Sequence, residues 1–127
     1  MPKQYADYIR IVPREDVESI TDGVVTLKDG KTWDLILATN NLIPDEEPAE
    51  VMGNPCFKQT LKLIAEKLSS EMSLRYRFNR PAVVLLYGSD DSVLIWGSIS
   101  TPVRVSLAPK PNADVLDFIR TSPISLF

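Results

Sequence analysis

Histidine does not occur in this 127-residue chain. Its absence removes the usual general base at neutral pH, the commonest transition-metal ligand and every Ser-His or Cys-His nucleophile pair. Cysteine occurs once, at Cys56. Without a second thiol or an imidazole there is no internal disulfide and no zinc set, so Cys56 reads as a small buried hydrophobe. The five glycines, Gly23, Gly30, Gly53, Gly88 and Gly97, are scattered. None belongs to a G-x-x-x-x-G-K-[ST] or G-x-G-x-x-G loop, and nucleotide hydrolysis is not expected. A run of about 18 apolar residues, the minimum for a membrane-spanning helix, is missing too. The opening MPKQYADYIR has no apolar stretch of the signal-peptide kind, so the expected location is the cytoplasm or a virion, with no membrane partner.

What is present is a mixture of 44% hydrophobic and 24% charged residues. That balance suits one globular domain, expected over 1–120, followed by an extended apolar tail at 121–127. The net charge of −3 is unevenly spread. Residues 1–56 carry five cations against eleven acids, and residues 57–127 carry nine against six, so the halves have net charges of −6 and +3. The halves can pair across one folded surface or meet head to tail between copies.

Along the chain, YADYIRIVP alternates and stops at Pro13, as an opening strand does. In GVVTLKDGKTWDLILAT, Val25 and Leu27 alternate before Asp29-Gly30 and Trp33, Leu35 and Leu37 after it, which predicts a two-stranded hairpin. Residues 40–55, NNLIPDEEPAEVMGNP, hold three prolines, three asparagines and four carboxylates and read as a long acidic loop. Phe57, Leu61, Ile64, Ala65, Leu68 and Met72 recur at intervals of three and four, predicting an amphipathic helix over 56–73. LRYRFN alternates Leu74, Tyr76 and Phe78 against Arg75, Arg77 and Asn79. The runs AVVLLYG, SVLIWGSIS and PVRVSLAP then predict an antiparallel meander. A final short helix is expected over 112–120, with an Asn cap, Asp114 in its first turn and Arg120 in its last. The expected class is α+β: an antiparallel sheet of about six strands packed on one long amphipathic helix, with a short C-terminal helix and the tail.

Three groups carry possible function. Asp45, Glu46 and Glu47, with Glu50, form an electrostatic contact surface in the acidic loop. Arg75, Arg77 and Arg80 fall within six residues and interleave with aromatics, a pattern that fits a phosphate ligand or single-stranded nucleic acid. Asp90-Asp91 lies among turn formers and reads as a turn before it reads as a metal or acid/base pair. No catalytic residue, metal or cofactor is expected.

The ending TSPISLF is the sharpest oddity. Pro123 stops a helix, so Ile124, Leu126 and Phe127 leave in an extended direction and need an acceptor groove. SPISLF resembles the short motifs by which bacterial replication proteins dock on the sliding clamp, which run from a leading Gln to Leu-Phe. Ser122 stands here where that Gln belongs. The resulting reading is a non-enzymatic assembly subunit, in a homo-oligomer or virion-type particle, that contacts itself or other subunits through the acidic loop and the tail. The alternative is a small inhibitor or adaptor, gripping a clamp-like groove through SPISLF or a phosphate-bearing ligand through the arginines.

Overall fold

A computed structural model of the chain describes residues 5–88 and 90–125. Among these residues there are ten strands, one short α-helix and one 3-10 turn (Arg14–Asp16). The strands are β1 (Tyr8–Pro13), β2 (Val17–Thr21), β3 (Val24–Leu27), β4 (Asp34–Leu37), β5 (Asp45–Val51), β6 (Asn54–Ala65), β7 (Arg80–Tyr87), β8 (Val93–Trp96), β9 (Val103–Pro109) and β10 (Asp114–Ser122). The helix α1 spans Ser70–Arg75. Among the described residues, no helix is long and apolar enough to cross a membrane.

Eight strands form one antiparallel sheet in the order β4-β1-β7-β9-β10-β6-β5, with β8 also on β7. β1 takes one edge of β7, and the other edge is shared. Its Val84–Tyr87 half pairs with β8 and its Arg80–Ala82 half with β9. β8 and β9 therefore run collinearly, as one strand interrupted at Gly97–Pro102, and the interruption lets β9 peel away to pair with β10. The ends of the sheet then meet. Thr39, just after β4, donates its N–H to Ile64 O of β6 at 2.7 Å. The Asn40 amide brackets the same strand, accepting from Ile64 N–H and donating to Lys62 O, both at 2.9 Å. The closed sheet encloses Ile9, Ile11, Ile36, Leu61, Leu63, Val84, Leu86, Trp96, Val105, Leu116 and Phe118. Closure leaves few free strand edges.

The separate ribbon β2-β3 packs Ile20, Val25 and Leu27 over Val12 and Val83 on the outside of the sheet. This covering explains why β7 is apolar on both sides. α1 lies at the Ala65 end of β6. Ser69 caps it by accepting the Met72 N–H at 3.2 Å, and Leu68, Met72 and Tyr76 close that end of the core.

The α+β expectation is overturned: among the described residues there is no long amphipathic helix, and the sheet has eight strands rather than six. Residues assigned to the 56–73 helix mostly form β6. Leu61 and Ala65 are four apart, a spacing that satisfies both a helix and a strand, and only pairing with β5 and β10 decides between them. Inside β6 the alternation is Gln59, Leu61, Leu63, Ala65 inward, with Lys58 and Lys62 exposed. The short C-terminal helix is likewise β10, in which Asp114, Leu116, Phe118 and Ser122 are buried in alternation. The acidic loop at 40–55 contains β5, an edge strand that tolerates Pro48.

The hairpin expected across Asp29-Gly30 does not form, because β3 pairs with β2 and β4 with β1. A turn with positive φ at both central residues forms instead at Asp22-Gly23, joining β2 to β3. At Asp29-Gly30 only the glycine has positive φ, which makes an ordinary turn between strands that separate. LRYRFN is not a strand either. It runs from α1 into a turn, with Tyr76 buried and Phe78 exposed. The opening strand and the three runs read as β7, β8 and β9 are strands, although β7 rather than β8 stands between the other two.

Candidate interaction surface

At the end of the sheet opposite α1, β10 runs out at Ser122 and the chain crosses Gln59. Gln59 is fully buried, and each polar atom of its amide is engaged. Its Oε1 accepts the Trp96 indole N–H at 2.9 Å. Its Nε2 donates to Glu46 Oε2 and to the Ile124 carbonyl, both at 3.0 Å. The Ser125 hydroxyl donates to the other Glu46 oxygen, and Ile124 N–H donates to Ser122 Oγ at 3.1 Å. Glu46 of β5, Gln59 of β6 and Arg120 of β10 share one register row, so strand pairing places them side by side.

This network brings together two features that lie some eighty positions apart in the chain. The acidic segment with Asp45, Glu46 and Glu47 is β5, and the first tail residues are strapped against it. The Ile124 backbone and the Ser125 hydroxyl are held by the chain itself, while the Ile124 side chain stays 74% exposed. Leu126 and Phe127 lie outside the described residues. Beside the strap is a mainly apolar cleft of about 410 Å³ between the β5-β6 tip and Pro123, lined by Val51, Pro55 and Cys56.

The tip itself is Met52-Gly53, with φ of 52° and 83°. A two-residue turn of this kind asks for positive φ at both positions, which suits Asn-Gly and costs a side chain such as Met about 1–2 kcal/mol. Met52 is also 95% exposed. Neither local conformation nor solvation favours Met there. Met52→Asn is expected to raise the stability of the isolated protein by about 0.5–1 kcal/mol, seen as a higher urea midpoint with unchanged slope.

The arginines do not converge. Arg75 and Arg80 line a polar cleft of about 390 Å³, and both are taken by carboxylates. Arg75 donates to Asp34 Oδ2 at 2.6 Å and to Glu71 Oε1 at 2.8 Å, and Arg80 is paired with Glu15. The hydrogen bond and charge of Asp34 push the Arg75 pKa up. The buried Tyr76 hydroxyl also donates to Asp34, at 2.6 Å, and burial, reinforced by that carboxylate, pushes its phenol well above the ordinary value. Such a cleft is zwitterionic, with little charge left for a phosphate.

Arg77 points elsewhere, donating to Ser73 Oγ at 2.7 Å, with its Nε buried and without a hydrogen-bond partner. Near it, buried Asp114 accepts from Lys67 Nζ at 2.7 Å and Leu68 N–H at 2.9 Å. Burial pushes the Asp114 carboxyl up, but these hydrogen bonds and the charges of Lys67 and Arg77 outweigh it, and the pKa falls below the ordinary value. A carboxyl whose pKa is depressed by folding stabilises the fold above its unfolded pKa, and this contribution disappears as pH falls through the folded value. Asp114→Asn is therefore expected to cost about 1–2 kcal/mol at neutral pH. The gap to the unsubstituted protein should close below about pH 4, measured by urea denaturation across pH.

Asp90 accepts from the N–H and hydroxyl of Ser92, and Asp91 has a φ of 63°, the geometry of a tight turn. Among the described residues no group of three or more acidic or cysteine side chains is placed to hold a metal. Gln59 escaped sequence reasoning because an amide on a supposed helix is unremarked. Within the alternation Gln59, Leu61, Leu63 it is the one polar inward position, and that is the signal a strand assignment would have exposed. No family model, curated protein or solved structure matches this chain.

Proposed function

We propose that this protein is a non-catalytic assembly subunit that contacts its neighbours through the tip of the β5-β6 hairpin and the tail strapped beside it. The observation that carries this reading is Met52: 95% exposed, at positive φ, and preceded by the exposed Val51, which lines the cleft toward Pro123. An apolar group held out in a strained turn is disfavoured in the isolated chain and gains when a partner covers it. The rest of β5 is guarded against indiscriminate pairing, since an edge strand carrying Asp45, Glu47, Glu50 and Pro48 resists the addition of further strands. Binding is thereby confined to the tip. A reading in which SPISLF enters a clamp-like groove requires Ile124 and Ser125 to leave Gln59 and Glu46.

The test is site-specific photocrosslinking in the producing cell. A benzophenone side chain at position 52 or 124 is expected to form discrete covalent adducts with protein. The same group at position 24, where Val24 is 60% exposed on the β2-β3 ribbon, should form none. Absence of adducts from both 52 and 124 would refute the proposal.

A further inference from the structure

Two arginines outside the cluster that the sequence emphasised are free of carboxylates and share a cleft. Arg104 on β9 and Arg120 on β10 border a cleft of about 360 Å³, closed by the Ser100–Pro102 loop and by Ile119. Among the described residues no Asp or Glu lines it. Arg120 Nε donates to the Thr101 carbonyl at 2.9 Å, and no carboxylate pairs with its guanidinium among the described residues. Arg104 is exposed and has no ion pair among the described residues. Burial pulls the Arg120 pKa below its ordinary value, as expected for a cation partly removed from water with no counter-charge. Two arginines beside Ile119 and the hydroxyl residues Ser100, Thr101 and Thr121 form a receptor for a carboxylate carried next to an apolar group.

That combination is displayed on the protein's own surface. The β5-β6 tip carries Glu50 directly before Val51 and Met52, with Glu47 further along the same strand, and all four are exposed. The tip cannot reach the cleft of its own chain. β5 is held to β6 through every pair from Asp45↔Thr60 to Val51↔Asn54, and β6 lies between it and the β10 side of the cleft. We infer that the Arg104–Arg120 cleft of one copy receives the Glu50–Met52 tip of a second copy. This rests on the tip being the contact surface and names its partner. A reciprocal contact of this kind closes a two-fold dimer, and a one-way contact propagates head to tail into a ring or filament. It also gives the acidic first half and basic second half a role, in steering copies into register.

The experiment is sedimentation velocity with light scattering on the full chain, over a concentration series at low and high salt. The unsubstituted protein is expected to exceed monomer mass with rising concentration, and less so at high salt. Glu47→Lys with Glu50→Lys, and separately Arg104→Glu, should each weaken self-association at least tenfold. All three positions are exposed, and circular dichroism checks that the sheet is retained. Arg120 is left intact because its partial burial would make charge reversal disruptive. An equimolar mixture of the two variants should associate again, since one brings an intact cleft and the other an intact tip. The inference is overturned by a monomeric unsubstituted protein, by variants that assemble as well as it does, or by a mixture that stays monomeric. It is also overturned if inorganic phosphate binds the cleft of a protein that remains monomeric. Adducts from position 52 to a different protein, with this chain monomeric, would leave the assembly reading standing and remove only the self-contact.

Discussion

Gln59→Ala is expected to lower stability by about 3 kcal/mol, through the unpaired Trp96 indole N–H and the void left by the amide. The site has no water-facing side from which to recover, because Gln59 and Trp96 are both fully buried. The tail should loosen in the same variant, since Gln59 Nε2 is the donor that holds the Ile124 carbonyl. Hydrogen exchange at Ser125 and tryptophan emission report these two consequences separately from the urea midpoint. A control separates polarity from packing. Gln59→Leu keeps the volume but still orphans the indole, and adding Trp96→Phe removes the orphan. The double variant should therefore recover about 1 kcal/mol relative to the sum of the two single substitutions. If Gln59→Leu alone is as stable as the unsubstituted protein, the network is not what holds this end of the sheet.

Gly97→Ala is expected to cost about 3 kcal/mol or to abolish folding. Gly97 has φ of 103°, and a Cβ there would meet Val103 N at 3.1 Å and the Ala82 carbonyl at 3.2 Å. Both contacts are backbone, and both belong to the β7-β9 junction where β9 leaves the line of β8. Relief would require the strands to separate at the point that bends the sheet toward closure, so strain and overpacking add. Gly23→Ala is the comparison. Its φ of 75° is also positive, yet nothing lies within 4 Å of the added Cβ, and about 1 kcal/mol is expected. Equal losses in the two variants would show that close approach at Gly97 is unimportant. The two substitutions test opposite parts of one device: Gly97 lets the sheet curl, and Gln59 ties the tail across the end that curling leaves.

Legibility in the sequence was uneven, for identifiable reasons. Asp45, Glu46, Glu47 and Ile124 were recognisable as surface features from their polarity and position. Their adjacency was not, because it depends on Gln59, a residue with nothing local to mark it. The arginines illustrate the reverse problem. Arg75, Arg77 and Arg80 stand out by clustering in sequence, but Asp34 and Glu15 arrive from distant elements and, with Glu71 one helical turn away from Arg75, neutralise two of them. Arg104 and Arg120 are unremarkable in sequence and become a pair only because β9 and β10 are neighbours.

What the sequence by itself determined is the set of segments whose local pattern admits one answer. AVVLLY, SVLIW and VRVSL are too short and too β-branched to be helices, and the lack of histidine and of phosphate loops needs no fold to interpret. What only the tertiary structure decided is the state of 54–65 and 114–122, together with everything that follows from their pairing. In those segments apolar residues fall at spacings shared by helix and strand, so local preference is nearly balanced. The long-range ladders of β6 with β5 and β10, which satisfy backbone groups and bury Leu61, Leu63, Leu116 and Phe118 at once, supply the difference.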